Sequence, residues 1–231
     1  RTRLLVDFGT NGEIVLAREG KIYACSTAAG PAFEGVGMRD GMAALKGAVE
    51  AFDEQGNPLV IGSGAPQGIC GSGYISALAF LLETGIMRPS GLLEQDESGD
   101  RKWLVTAGGP VITQDDIRKF QLAKGAIAAG IEILFRETDT YPEMLDEIII
   151  TGSFGNRINP RSAVKVGLLP NLPLERIRFL DNGAGRGAAL CLAGREFLAR
   201  ALDLQQHIDI INLGEHPEFQ DKYVEQMTFP D

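Results

Sequence analysis

Three short apolar runs joined by two tight turns in the first 27 residues constrain this chain more than any other feature. Leu4-Leu5-Val6-Asp7-Phe8 passes through Gly9-Thr10-Asn11-Gly12 into Glu13-Ile14-Val15-Leu16-Ala17, and Arg18-Glu19-Gly20-Lys21 leads on to Ile22-Tyr23-Ala24-Cys25-Ser26-Thr27. Asn-Gly between β-branched runs is the strongest short hairpin signal, so an antiparallel three-stranded meander is predicted. A meander with one apolar face needs a cover. Two helical patterns supply it. Ile75, Leu78, Ala79 and Leu82 follow Gly71-Ser72-Gly73 and stop at Gly85, while Ile117, Phe120, Ile127, Ile131 and Leu134 continue to about Glu137 behind a Thr113/Asp116 capping box.

Further along, Glu147–Thr151 reads as a strand buried on both faces, and Asn159-Pro160 opens a short helix ending near Gly167. Ile177–Leu180 is another strand, and Ala184 to Ala201 is expected to be one helix of small residues suited to close packing. Ala48–Phe52 and Leu59–Ile61 flank Gln55-Gly56-Asn57 as a second hairpin; Gly30 to Gly47 is too glycine-rich for a helix, and Glu94–Lys102 is expected to be a loop. Three meander strands followed by helix, helix, strand, helix, strand, helix predict an α/β fold. It is a ribonuclease-H-like lobe with a mixed sheet and flanking helices, elaborated by the extra hairpin. The lobe is expected over residues 1–205, with 206–231 an extension docking on it.

A chain of 231 residues, 44% hydrophobic, buries roughly 70–75% of its unfolded surface and needs no staple. Its 31 acidic against 22 basic residues, a net charge of −9, argue against nucleic-acid or membrane-surface partners. No apolar run reaches the length of a membrane span. Cys25, Cys70 and Cys191 are too few and scattered for a disulfide framework or a zinc motif, which fits a reducing cytoplasm. The absent initiator Met and the opening directly on a strand are expected of a piece of a longer protein.

The chemistry is sought in the turns. Asp7 ends a strand and precedes Gly9-Thr10-Asn11-Gly12-Glu13, a turn whose N–H groups suit phosphate oxygens. Gly9 and Gly12 permit close backbone approach, and Asp7 suits a magnesium ion held through water. An ordinary hairpin with a capped aspartate is the plainer account of the same residues. Thr151-Gly152-Ser153-Phe154-Gly155-Asn156-Arg157 follows a second buried strand, where ligands of α/β sheets collect. Gly152 and Gly155 suit a flat ring, and Ser153, Asn156 and Arg157 a ribose or phosphate; a strand-to-helix connection that merely needs glycine explains them as well. Gly71 and Ser72 stand at a helix start, where free N–H groups attract an anion. Cys70 reads as a small buried residue and His207 and His216 as surface groups, and no His/carboxylate metal set is present.

Taken together, Asp7–Glu13, Ser26–Gly35, Gly68–Gly73, Gln121–Ile127 and Thr151–Asn156, with Gly167-Leu168-Leu169-Pro170 and Asn182-Gly183, resemble the C-terminal domain of reductive activators of corrinoid-dependent methyltransferase systems. The resemblance covers most of residues 3 to 200 and departs at Thr151-Gly152-Ser153, where the family has a small residue and two glycines. It implies membership of the acetate and sugar kinase, heat-shock chaperone and actin superfamily, with Asp7–Glu13 as a phosphate loop and Gly152–Gly155 as an adenosine loop. It further implies ATP and Mg2+ as ligands, a corrinoid protein as partner, a homodimer, and an iron–sulfur cluster on a separate N-terminal domain. The activity implied is ATP-driven electron transfer that restores cob(I)alamin. Two alternatives stand beside it: a small-molecule kinase using Glu13 or Asp181, and a non-catalytic dimerisation or docking domain.

Overall fold

The computed structural model describes residues 1–96, 98–152 and 157–231. The strands are β1 (Arg3–Phe8), β2 (Gly12–Arg18), β3 (Lys21–Thr27), β4 (Ala48–Phe52), β5 (Pro58–Val60), β6 (Gly68–Ile69), β7 (Lys102–Leu104), β8 (Val111–Thr113), β9 (Glu147–Gly152), β10 (Ile177–Phe179) and β11 (Ile208–Ile210). The helices are α1 (Gly71–Glu83), α2 (Gln114–Glu137), α3 (Pro160–Lys165), α4 (Gly183–Ala193), α5 (Arg195–Gln206) and α6 (Phe219–Glu225), with a 3-10 turn at Pro31–Glu34.

Alternation in the first three strands puts one face of a six-stranded sheet, ordered β10-β9-β1-β2-β3-β11, into the core. Leu4, Val6, Phe8, Ile14, Leu16, Ile148 and Ile150 are fully buried on that face. β1, β2 and β3 are antiparallel, while β9 runs parallel to β1, β10 to β9 and β11 to β3. This is the mixed sheet of a ribonuclease-H-like lobe with one added edge strand. α2 lies across the buried face so closely that at two crossings a side chain in place of glycine would have to displace a neighbour. A Cβ at Gly12 would fall 1.9 Å from Ile127 Cδ1, and one at Gly130 2.7 Å from Ile14 Cδ1. The capping box predicted for α2 is present: Thr113 Oγ1 accepts from Asp116 N–H (3.2 Å) and the Asp116 carboxylate accepts from Thr113 N–H (2.9 Å).

A second sheet, β5-β4-β6, carries the extra hairpin and supports α1. Two expectations are corrected. The span Ala184 to Ala201 is two helices broken at Gly194, and neither buries a residue, so its small residues do not serve close packing within this chain. The expected loop Glu94–Lys102 ends in a strand, because Trp103 of the β7–β8 hairpin is held by Phe52 and Phe80, with ring centroids 5.2 and 5.9 Å away. The other described residues of that run form the expected loop. Asp96 accepts from Ser98 N–H and Asp100 N–H, and Lys102 pairs with Asp96 and Asp100. No described helix is long and apolar enough to cross a membrane.

Candidate functional site

The C-terminal ends of β1, β9 and β10 lie side by side. Asp7 faces Glu13 across β2 and Thr151 across β9, so Glu13, Asp7 and Thr151 form a row on the sheet face opposite α2. Directly opposed cross-strand residues sit about 4.5–5.5 Å apart at Cβ, and like charges there repel. Burial raises the Asp7 carboxyl above the ordinary carboxylate range. A half-buried carboxylate beside a second one is the donor set that one divalent cation satisfies. Two carboxylates with phosphate and water are what magnesium accepts. No cluster of three or more metal-ligating side chains occurs among the described residues.

The turn after β1 is tighter than the sequence suggests. Gly12 already pairs with Phe8, leaving Gly9-Thr10-Asn11 as the loop. The Gly9 N–H donates to Asn11 O (3.0 Å), so it is committed inside the turn instead of facing outward with its neighbours. Gly12 is buried under Ile127, and packing alone accounts for the glycine, since a Cβ there would have to displace that side chain. Thr10 and Asn11 are exposed, as is Glu13. The 3-10 segment backs this turn: Gly30 N–H donates to Thr10 O (2.9 Å), and Thr10 Oγ1 donates to Glu34 Oε1 (3.2 Å).

Gly152 closes β9 beside Phe8. With φ of 112°, its virtual Cβ would lie 2.1 Å from Phe8 O and 2.7 Å from Asp7 Oδ1, so only glycine fits against the Asp7 carboxylate. Ser153, Phe154, Gly155 and Asn156 lie outside the described residues. Arg157, expected to reach a ribose or phosphate, pairs with Glu50 of β4 at 2.7 Å. Gly71 and Ser72 belong to the other layer. Both are buried where α1 meets β4, and a Cβ on the next glycine, Gly73, would lie 2.2 Å from Val49 O. Cys70 is buried as expected, its thiol donating to Val49 O (3.3 Å).

The structure adds a third corner that the sequence reading left out of the site. Thr151 Oγ1 accepts from Gly183 N–H (2.8 Å), so the N-terminus of α4 is fastened to the row. Asn182 caps α4 in the left-handed region, φ 45°, with its side chain accepting from Gly185 N–H (3.0 Å). The available signal was the strand, polar residue, glycine, helix order of 177–187, the same order seen after β9. A cavity of about 560 Å3 lies elsewhere, between the outer end of α2 and Leu168-Leu169-Pro170. Glu132 at its wall is paired with Lys222 (2.6 Å) and Arg136 with Glu218 (2.9 Å).

Known proteins place this architecture. The chain is 36% identical over 256 residues to the corrinoid activation enzyme RamQ of Eubacterium limosum, with all of this chain and 43% of that protein covered. It is 28% identical over 208 residues to a [Co(II) methylated amine-specific corrinoid protein] reductase of Methanosarcina barkeri, covering 76% of this chain and 36% of that one. Its fold matches a solved reductive activator for corrinoid, iron-sulfur protein with a TM-score of 0.86 and 32% identity, over 100% of this chain and 40% of the other. This chain therefore spans less than half the length of these relatives. The family model described as the C-terminal domain of RACo, the ASKHA domain, matches residues 1–231, and the chain belongs to that family.

Proposed function

We propose that this chain is the ATP-binding part of a reductive activator that returns a corrinoid protein to the cob(I)alamin state. The observation that carries the proposal is the row Glu13, Asp7 and Thr151, where the β1 turn, Gly152 and the N-terminus of α4 meet at one sheet edge. Asp7, with Glu13 opposite, holds Mg2+ through water. Thr10 and Asn11 offer side-chain donors to phosphate, and the turn closes on it. Gly152, with Ser153, Phe154, Gly155 and Asn156, receives the nucleoside. The N-terminus of α4, its Gly183 and Gly185 N–H groups already held by Thr151 and Asn182, adds a favourable dipole end to the same edge. Gly71 and Ser72 take no part, being packed beneath β4.

Mg-ATP, when bound, would supply the free energy of hydrolysis that drives an electron uphill. The relatives are named for acting on corrinoid proteins, and their greater length leaves room for an electron donor such as an iron–sulfur domain. ATP biases docking on the corrinoid protein only as far as it binds the two conformations differently, so this lobe acts by closing on nucleotide. The partner is a corrinoid protein, the assembly a homodimer, and the compartment the cytoplasm.

The test is calorimetry of the whole protein with Mg-ATP, wild type against Asp7→Asn. A loss of at least about tenfold in affinity is expected from the variant. Heat in neither would favour a docking domain with no nucleotide. A parallel assay follows cob(II)alamin reduction with and without ATP, and reduction indifferent to ATP would remove the activator reading.

A further inference from the structure

The end of the chain is gripped by its backbone. Gln121 and Lys124, one turn apart on α2, are both buried. Lys124 Nζ donates to the carbonyls of Gln226 (2.6 Å) and Thr228 (2.7 Å), and Gln121 Nε2 donates to that of Met227 between them (2.8 Å). Three successive carbonyls are thus held by two side chains. The next residue, Phe229, donates its N–H to Pro89 O (2.8 Å) and inserts its ring into the core, where it is 3% exposed.

That ring begins a series. Phe229 stacks on Phe120 of α2 with centroids 6.3 Å apart, Phe120 meets Phe33 edge-on at 5.6 Å, and Phe33 meets Phe8 edge-on at 5.8 Å. Phe8 stands between Asp7 and Gly9. Phe33 lies in the 3-10 segment whose Glu34, with the preceding Gly30, bonds to Thr10. Interiors are packed to crystal density, so a ring in such a series moves only if its neighbours move. A site held by locked rotamers is accurate only while the groups behind it are filled.

We propose that Phe229 is a positioning residue for the turn Gly9–Gly12: the C-terminal clasp seats α2, and the rings of Phe229, Phe120, Phe33 and Phe8 set where Asp7 and Thr10 stand. The consequence for ligand binding rests on the nucleotide reading above, whereas the placement of the turn does not.

Alanine at 229 leaves a core cavity that threatens folding, so Phe229→Leu, which keeps apolar volume and removes the ring stack, is the second variant. Leu172→Ala, a buried change beside α3, is the control for general loosening. Amide exchange at Gly9 and Gly30 and Mg-ATP affinity are measured on the intact protein. Exchange at both amides about three- to tenfold faster, and affinity weaker by a similar factor, are expected in Phe229→Leu but not in the control. Unchanged exchange or an equal response in Leu172→Ala would overturn the proposal, and faster exchange with unchanged affinity would overturn its consequence for ligand binding. A wild type that binds no Mg-ATP removes the nucleotide reading, and the exchange comparison then decides this one alone.

Discussion

Asp7 is held where the fold gains least from it. Its carboxyl is partly desolvated, faces Glu13 across the strand pair and has a raised pKa, so the folded chain keeps this proton to higher pH than the unfolded chain. Stability contributed by the neutral form is therefore lost as pH rises through that raised value. Asp7→Asn is expected to melt at the same or a higher temperature than wild type while losing Mg-ATP binding, a contrast that thermal melts with and without ligand will show. Lys124 titrates in the opposite sense. Burial lowers its pKa from 10.5 to about 8, so between those values the unfolded chain binds the extra proton and stability rises with pH. The difference in unfolding free energy between wild type and Lys124→Met is expected to grow on the order of 1–3 kcal/mol from pH 8 to 10.5, measured by denaturant titration. Gly12 answers to α2: Gly12→Ala should cost about 1–3 kcal/mol, and Ile127→Val, which removes the clashing Cδ1, should recover part of it in a double-mutant cycle. The glycine was legible as special, but its reason was not, because the atom that excludes a side chain is 115 positions away.

Elements differ in how much of their sequence is spent inside this chain. The α2 start is fully invested. Asp116 is 1% exposed and its carboxylate accepts from Thr113 N–H, Thr113 Oγ1 and Arg39 N–H. Thr113→Ala should cost about 1 kcal/mol and Asp116→Ala more, since the Arg39 N–H also loses its acceptor. α4 and α5 lie at the other extreme. They run from β10 at one sheet edge to β11 at the other, yet Leu190, Leu192, Leu198 and Leu202 are all at least 46% exposed. Leu198→Gln or Leu202→Gln should change the melting free energy of this chain by no more than about 0.5 kcal/mol, against about 2–5 kcal/mol for Leu78→Ala in α1, where the side chain is fully buried. Helical periodicity was readable for α1 and α2, and a helical span, though not its break at Gly194, for 184–201. Which of them would be covered was not, since amphipathicity says that a face wants a partner and nothing about whether the same chain provides it.

For the whole molecule, the proposed function rests on three segments reaching one edge. Asp7 lies more than a hundred residues before Thr151 and Gly183 in sequence, and the three are joined by two parallel pairings and one hydrogen bond. The alternating runs at 4–27, the continuous run at 147–151 and the periodic helix at 114–137 were determined by the sequence alone, because side-chain period and turn chemistry are local properties. So was the α/β class, which follows from element order. Only tertiary structure decided that Gly12 serves packing, that Arg157 pairs with Glu50, that Gly71 and Ser72 lie in another layer, and that the N-terminus of α4 joins the strand-end row. Each of these turns on which distant group occupies a given few cubic ångströms, and that is settled when the sheet closes and its faces fill.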